Sequence, residues 1–213
     1  MRCLRLVLIP LLFALVAAGS FLFGNGDGTF QSTAESVTTG DLNGDGRPDV
    51  VLASYCDSNC TIDNGGVVSV LIGNGDGTFQ DAFSYSSGGY GAVSLAIADV
   101  NGDGHPDLVV ANQCKDFTDH NGSVSVLLGN GNGTFQSAVS YDSGGGFANL
   151  IAVQDVNRDG YPDLVVANFC QGFDQYGQCS GTGEVSVLLG NGDGTFQPAA
   201  SYSSAGLFGI SVT

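Results

Sequence analysis

The sequence is poor in positive charge and in helix-type charge pairs, and it contains no tryptophan. Its 213 residues include five Lys and Arg against 21 Asp and Glu, and only two of these acids are Glu. A solvated helical protein pairs Glu with Lys along its exposed faces, so a helix bundle or coiled coil is excluded. The formal charge of −16 repels phosphate backbones and anionic lipid headgroups, which excludes nucleic-acid binding.

What the chain has instead is 34 Gly and 19 Asp among short runs of Val, Leu and Ile. Hydrophobic residues make up 43% of the total, which is enough to build cores, so the chain is not a disordered acidic segment. The positions at which Asp recurs therefore decide the interpretation.

The amino terminus has the layout of a secretory signal peptide. Arg2 and Arg5 precede an apolar run at 6–16, and small residues follow it. Residues 1–19 are predicted to be the signal peptide and 20–213 the mature repeat region, with no membrane insertion after cleavage; the alternative is an uncleaved anchor. Export predicts an extracellular, cell-surface or periplasmic location, where cysteines form disulfides.

Two motifs recur along the chain. The first, Gly-Asn-Gly-Asp-Gly-Thr-Phe-Gln, occurs at residues 24–31, 73–80 and 190–197, and at 129–136 with Asn132 in place of Asp. The second, Asp-x-Asn-x-Asp-Gly-x-Pro-Asp, occurs at residues 41–49, 99–107 and 155–163. Spacings of 49 to 61 residues indicate a repeat architecture in which each unit is one supersecondary element.

Within each repeat, four short β-prone runs alternate with turn residues. In the central repeat these runs are 93–100, 108–111, 124–128 and 134–141. Asn-Gly and Asp-Gly between two strands are strong hairpin signals because both residues tolerate positive φ. Repeated four-stranded units are the blades of a β-propeller, so we predict an all-β fold of about 3.5 blades, a partial or truncated propeller. A β-sandwich is the alternative.

Each Asp motif has the spacing of a cation-binding loop. Oxygen side chains stand at positions 1, 3, 5 and 9, glycine at position 6 permits a sharp turn, and the carbonyl of position 7 is a further ligand. Three close carboxylates repel one another, and all-oxygen ligands in an irregular loop favour Ca²⁺ over Mg²⁺ as the ion that offsets this repulsion. An EF-hand is excluded because position 12 is Leu52, Val110 or Val166 instead of Glu.

Three calcium sites are therefore predicted. Their side-chain ligands are Asp41, Asn43, Asp45 and Asp49; Asp99, Asn101, Asp103 and Asp107; and Asp155, Asn157, Asp159 and Asp163. Their carbonyl ligands belong to Arg47, His105 and Tyr161. The alternative is an Asx-rich turn without a metal. The Gly-rich motifs are interpreted as plain hairpin turns, since one of them carries Asn132.

The Asp loop followed by Leu-Val-Val-Ala, combined with Val-Ser-Val-Leu-Leu-Gly-Asn-Gly-Asp-Gly-Thr-Phe-Gln, closely resembles the FG-GAP/VCBS repeat family. Its best-known members are the amino-terminal propellers of integrin α-subunits. The resemblance covers nearly the whole mature chain. It implies structural Ca²⁺ between the first and second strands of each blade, and a role in adhesion, ligand binding or surface display. The family also includes lectins and parts of polysaccharide lyases, so it does not name a ligand.

The number of repeats departs from the family. Complete rings usually have about seven blades, whereas this chain carries three complete Asp loops and unpaired strand edges at both ends. Three explanations are open: a truncated gene product or fragment, an open or partial propeller, and a homodimer in which two chains complete one ring.

The variable loops between the second and third strands are expected on the face opposite the Asp loops and Gly-rich turns. They carry candidate binding aromatics at Tyr55, Phe117, His120, Phe169, Phe173 and Tyr176. The alternative is that these side chains pack the loops onto the blades.

The same loops contain the cysteines of the mature chain. Disulfides are predicted for Cys56 with Cys60 and for Cys170 with Cys179, since each pair closes a small local loop. Cys114 has no such partner, so it is expected to be buried and free or to pair with another chain.

No nucleophile motif accompanies the two His residues, so no catalytic residue is assigned and the chain is not expected to be an enzyme. We predict a secreted calcium-binding repeat module with a structural, adhesion or ligand-binding role and an extracellular protein or glycan ligand. The alternatives are a lectin-like propeller and a remnant or part of a polysaccharide-active enzyme.

Overall fold

The computed structural model describes residues 21–24, 30–55, 65–116, 120–173 and 179–204. Within these ranges every regular element is a strand, so they contain no helix that could cross a membrane. The strands are β1 (Phe21–Gly24), β2 (Phe30–Gly40), β3 (Asp49–Ser54), β4 (Val67–Leu71), β5 (Phe83–Ser86), β6 (Tyr90–Ala98), β7 (Asp107–Cys114), β8 (Asn121–Leu127), β9 (Val139–Gln154), β10 (Asp163–Cys170), β11 (Gly172–Phe173), β12 (Cys179–Ser180), β13 (Glu184–Leu188) and β14 (Ala200–Ser203). The predicted signal peptide lies outside the described residues.

Two large antiparallel sheets contain most of these strands. Strands β1 to β5 form one sheet in chain order, and the other has the order β14-β13-β10-β9-β8-β7-β6. The second sheet has seven strands because the 16-residue strand β9 joins two units: its first part pairs with β8 and its second part pairs with β10. The short pair β11 and β12 forms a separate hairpin inside one loop.

The sheets divide into three four-stranded units that follow the repeats. Blade 1 contains β2 to β5, blade 2 contains β6, β7, β8 and the first part of β9, and blade 3 contains the rest of β9 with β10, β13 and β14. The predicted all-β fold of antiparallel propeller blades is confirmed. The fourth strand of blade 2 and the first strand of blade 3 are continuous in β9, whereas β5 and β6 are separate at the preceding junction.

The cores lie between successive blades. We call the side of a blade that faces the next blade in chain order its leading face, and the other side its trailing face. On the leading face of blade 1, Val51, Val68 and Val70 pack against Leu108 and Leu127 on the trailing face of blade 2. All five side chains are fully buried, and each contributes about 1.5–3 kcal/mol of hydrophobic free energy.

The same arrangement recurs between blades 2 and 3. Val109, Val124 and Val126 on the leading face of blade 2 pack against Leu164 and Leu188 of blade 3. Strand β7 is therefore buried on both faces, since successive side chains point to opposite sides and each side meets a neighbouring blade. In β4, by contrast, buried and partly exposed residues alternate.

Aromatic pairs join neighbouring blades at the outer rim. Tyr85 and Phe135 meet edge to face with ring centroids 5.8 Å apart, and the backbone N–H of Phe135 donates to the Tyr85 hydroxyl at 3.3 Å. Tyr141 and Phe196 repeat the contact at 5.6 Å. Burial is the main cause that raises the pKa of Tyr141. These pairs link the fourth strand of one blade to the Gly-rich turn of the next.

The cysteines differ in part from the sequence-based prediction. Cys170 and Cys179 form the predicted disulfide. Cys114 is buried but disulfide-bonded within this chain, so the expectation of a free thiol or an interchain bond is wrong. The partner of Cys114 lies outside the described residues, as do Cys56 and Cys60, and local spacing alone could not reveal a bond between distant segments.

We expect Leu127→Ala to lower the free energy of unfolding by about 2–5 kcal/mol, because it leaves a cavity between blades 1 and 2. The exposed Val139→Ala serves as control and should change it by less than about 0.5 kcal/mol. Urea unfolding with disulfides intact measures both. Equal effects would contradict the placement of the core between blades.

Candidate metal-binding loops and the opposite blade face

The first position closes each Asp loop through backbone hydrogen bonds. Asp41 Oδ1 accepts from the N–H groups of Gly44 at 2.8 Å and Asp45 at 3.1 Å, and its Oδ2 accepts from Gly46 at 2.8 Å. The N–H of Gly46 is the main cause that lowers the pKa of Asp41, which keeps this carboxylate charged. The equivalent bonds in the other two loops are accepted by Asp99 and Asp155.

The loop conformation requires positive φ at positions 4 and 6. Gly44 and Gly46 have φ of 75° and 78°, and the second loop also has glycine at both positions. In the third loop Arg158 occupies position 4 with φ 65°. A left-handed conformation costs a residue with a Cβ about 1–2 kcal/mol, so the hydrogen bonds of the loop outweigh the preference of Arg158.

The side chains at positions 3 and 5 face each other at the surface. Asn43 Nδ2 donates to Asp45 Oδ2 at 3.1 Å, while Asn43 Oδ1 accepts from the backbone N–H of Asp45 at 3.0 Å. The amide-to-carboxylate distances in the other two loops are 2.9 Å and 2.7 Å. Each position 5 carboxylate also accepts from the backbone N–H of position 7.

The carboxylate at position 9 is fully buried and joins the loop to the Gly-rich turn. Asp107 Oδ2 accepts from the N–H of Val100 at 2.9 Å, and its Oδ1 accepts from the N–H of Gly129 at 2.7 Å. Asp49 and Asp163 make the same two bonds in their repeats. The Asp loops and Gly-rich turns therefore lie together at one end of the blades, as predicted.

Burial raises the pKa of Asp107, and the nearby charges of Asp103 and Asp99 raise it further, whereas the two backbone donors lower it. In the second loop, the carboxylates of Asp99 and Asp103 therefore repel the buried carboxylate of Asp107. This is the electrostatic condition under which a cation is stabilising.

The Gly-rich motifs are hairpin turns whose polar side chain serves the turn itself. Asp76 Oδ1 accepts from the backbone N–H of Thr78 at 2.9 Å and from its hydroxyl at 2.6 Å, and the hydroxyl is the main cause that lowers the pKa of Asp76. Asn132 Oδ1 makes the same bonds to Thr134. Since an amide oxygen serves as well as a carboxylate, the motif needs no metal at this position.

The side chain at position 7 covers the adjacent turn. A Cβ added to Gly131 would lie 2.5 Å from the His105 ring, and one added to Gly75 would lie 2.9 Å from Arg47. Tyr161 covers Gly192 in the third repeat. The sequence analysis predicted a role only for the carbonyl of position 7, because a side-chain contact with a turn 26 to 31 residues further along the chain is not a local signal.

The oxygen-bearing side chains of the loops are ligands that suit a hard divalent cation, but in this structure they form hydrogen bonds within their own loops. Each loop offers four oxygen-bearing side chains, and a carboxylate oxygen that accepts one hydrogen bond retains a second lone pair. Among the described residues, no three His, Cys, Asp or Glu side chains are gathered closely enough to hold a metal ion. In the first loop the position 3 amide presents its nitrogen, and not its oxygen, to the position 5 carboxylate.

Aromatic side chains cluster at the other end of the blades. The seven strand steps from Asp163 to Cys170 span about 23 Å, which puts the second-to-third-strand loops far from the Asp loops. There the Phe147 ring lies 4.9 Å from Phe173 and 6.4 Å from both Phe169 and His120, measured between centroids. We call these four residues the aromatic cluster.

The aromatic cluster brings together three predicted binding residues and one that the sequence missed. His120, Phe169 and Phe173 were predicted, and His120 and Phe173 also meet edge to face at 5.5 Å. Tyr55 lies apart and packs over Gly91. Phe117 and Tyr176 lie outside the described residues.

Phe147 is the missed residue, and its backbone is strained. It has φ 53° at the repeat position where Gly91 has φ 68°. The successive repeats hold Thr33, Gly91, Phe147 and Phe208 at this position, so an alignment of the repeats does not mark it as a glycine position. Strain of this kind persists when the surrounding contacts hold it in place, and it is enriched at functional sites.

Comparisons with known proteins agree with the repeats. A family model for the FG-GAP-like repeat matches residues 41–110 and 114–166, which is more than half of the chain. Integrin alpha pat-2 of Caenorhabditis elegans and integrin alpha pat-2 of Caenorhabditis briggsae are each 28% identical over 179 residues. The alignments cover 75% of this chain and 14% of each relative, so the chain spans a small part of their length.

We expect Asp107→Asn to lower the free energy of unfolding by about 1–3 kcal/mol in EDTA, since an amide can accept only one of the two buried backbone donors. The exposed Asp81→Asn is the control and should change it by less than about 0.5 kcal/mol. Urea unfolding measures both. If the two variants were equally stable, the buried carboxylate would not join loop and turn as described.

Phe147→Gly should be more stable than Phe147→Ala by about 1 kcal/mol, because glycine accepts the left-handed backbone without cost. At Phe169, which lies within β10, the order should reverse, since glycine weakens an ordinary strand by about 0.5–1 kcal/mol relative to alanine. Thermal unfolding of the four variants checks the crossing, and the same order at both positions would refute the strain.

Proposed function

Because the chain belongs to the FG-GAP-like repeat family, we propose that it is an extracellular adhesion or ligand-binding module whose Asp loops are held by Ca²⁺ and whose aromatic cluster contacts the ligand. Its similarity to integrin alpha chains supports an adhesive role at the cell surface. The observation that carries the proposal is that the two ends of a blade differ. The end with the Asp loop and the Gly-rich turn, which we call the uniform end, repeats from blade to blade, whereas the end with the second-to-third-strand loop, which we call the variable end, differs between blades.

The uniform end supports the calcium part of the proposal. The four oxygen side chains at positions 1, 3, 5 and 9 of each loop, with the carbonyl of position 7, are the groups that would hold the ion. Bound Ca²⁺ would neutralise the repulsion between these carboxylates. Position 1 is already held by three backbone donors and position 9 is buried, so positions 3 and 5 are the ones that must turn.

The variable end supports the binding part. The aromatic cluster combines partly exposed rings from blades 2 and 3, and the Cys170–Cys179 disulfide restrains the loop that carries Phe173. Within the described residues, the buried Nδ1 of His120 has no hydrogen-bond partner. The partly exposed rings suit a ligand that presents apolar groups.

A carbohydrate ligand is the second candidate. Flat aromatic faces stack on the apolar faces of sugar rings, and the negative charge of the chain favours neutral over acidic glycans. No catalytic step is included in either candidate.

The calcium proposal predicts that CaCl₂ raises the melting temperature of the chain and that EDTA reverses the rise. At free Ca²⁺ of about 100 times the Kd, one site adds about 2.7 kcal/mol to the free energy of unfolding. The triple variant D45N/D103N/D159N changes exposed side chains, so its stability in EDTA should stay close to that of the parent chain. Its response to CaCl₂ should be lost.

Asp81→Asn is the matched control and should keep the full calcium response. Calorimetric titration of the same proteins gives the number of sites. A parent chain that shows no heat and no change in melting temperature would overturn the calcium role, while leaving the fold and the binding proposal untouched.

The binding proposal predicts that Phe173→Ala weakens attachment to the ligand at least about tenfold, since truncated aromatic contact residues often cost more than 1.4 kcal/mol. Phe83→Ala removes an exposed ring from strand β5, outside the aromatic cluster, and should not change binding. A glycan array and a cell-attachment assay with both variants separate a carbohydrate from a protein ligand. Equal binding by both variants in both assays would exclude the aromatic cluster.

A further inference from the structure

The aromatic pairs between blades are left incomplete at the two ends of the described structure. In the completed pairs Phe135 and Phe196 are each 7% exposed. Tyr202 stands at the repeat position of Tyr85 and Tyr141, but it is 61% exposed. Phe79 stands at the repeat position of Phe135 and Phe196, but it is 43% exposed. Each end therefore presents the half of the pair that the other end needs.

Among the described residues, none covers the leading face of blade 3. Val100 is 1% exposed on the leading face of blade 2, whereas its equivalent Val156 is 47% exposed. Val185 and Val187 are partly exposed, although their equivalents in blades 1 and 2 are fully buried. Tyr202 pairs across the strands with Val185, so both side chains lie on this face.

The trailing face of blade 1 is open in the complementary way. Val50 and Leu71 are partly exposed there, whereas their equivalents Leu108 and Leu127 in blade 2 are fully buried. Phe79 pairs with Gly73 in the Gly-rich turn that follows Leu71. The two open faces consist of the same kinds of apolar side chain that pack together at both blade junctions of the chain.

We propose that the chain associates with a second copy head to tail, with the leading face of blade 3 packed on the trailing face of blade 1 of the other copy. Tyr202 of one copy then meets Phe79 of the other, as Tyr85 meets Phe135 within one chain. The occupant is a second copy because its blade 1 presents the matching apolar face and the missing phenylalanine together.

Such a contact is heterologous, since different surfaces of the two copies meet. Two copies contribute six described blades and close into a ring if the rotation between blades allows it. If the rotation does not close, the same contact adds further copies. The interface is apolar while the chain carries a charge of −16, so added NaCl should strengthen association by screening the repulsion between copies.

Sedimentation equilibrium of the chain with disulfides intact tests the proposal. We expect a concentration-dependent dimer or larger species at micromolar protein. Tyr202→Asp on the leading face and Phe79→Asp on the trailing face should each raise the dissociation constant at least about tenfold. Phe83→Asp is the matched control, because Phe83 is 54% exposed and lies on neither open face. Unchanged circular dichroism would show that each variant is folded.

Mixing the two variants distinguishes this contact from a symmetric one. The intact leading face of Phe79→Asp can pack on the intact trailing face of Tyr202→Asp, so an equimolar mixture should recover a heterodimer with one good interface. A symmetric contact between two leading faces predicts no recovery and no effect of Phe79→Asp. That result, or a monomer at every concentration and salt level, would overturn the proposal.

Discussion

The buried carboxylate at the ninth loop position is the contact on which the arrangement of the blades depends. Asp107 accepts from the N–H of Val100 in its own loop and of Gly129 in the following turn. The turn then reaches the preceding blade, since the N–H of Gly133 donates to the carbonyl of Leu42. A Cβ added to Gly194 would similarly crowd Leu128 and Asn101 of the blade before it. In the second and third repeats, one buried acceptor thus joins the loop to the turn, and the turn contacts the preceding blade.

Contacts between residues that are close in the sequence could be predicted from it, whereas contacts between residues far apart in the sequence could not. The Asp loops and hairpin turns were predictable because the hydrogen bonds of loop positions 1, 3 and 5 join residues within five positions of each other, and the same motif occurs three times. The bond from the buried position 9 carboxylate to the Gly-rich turn spans 22 positions in the second repeat and was not predictable in this way. The contact between Tyr85 and Phe135 was not, since it joins residues 50 positions apart and exists only when blades stack. Phe147 was missed because its backbone conformation is set by tertiary contacts, against its own preference.

The two ends of a blade are under different physical constraints. At the Asp loops nearly every polar side chain accepts hydrogen bonds from backbone N–H groups of its own repeat. Few other residue types could make the same bonds at these positions. At the other end the second-to-third-strand loops differ in length. In their described parts, His120 of blade 2 contacts Phe173 of blade 3, and the Cys170–Cys179 disulfide restrains the loop of blade 3. A rigid, repeated end that positions a variable one is the usual arrangement for binding surfaces carried on loops.

Charge links the two proposals. Nine of the 21 acids lie in the three Asp loops, so cations bound there would remove part of the repulsion that opposes the approach of a second copy. The open apolar faces act only at contact, whereas this repulsion acts over about 8 Å at physiological salt. Cation binding and self-association would therefore be coupled, and linkage requires the coupling to be reciprocal: if Ca²⁺ promotes assembly, assembly raises the affinity of the loops for Ca²⁺ by the same factor.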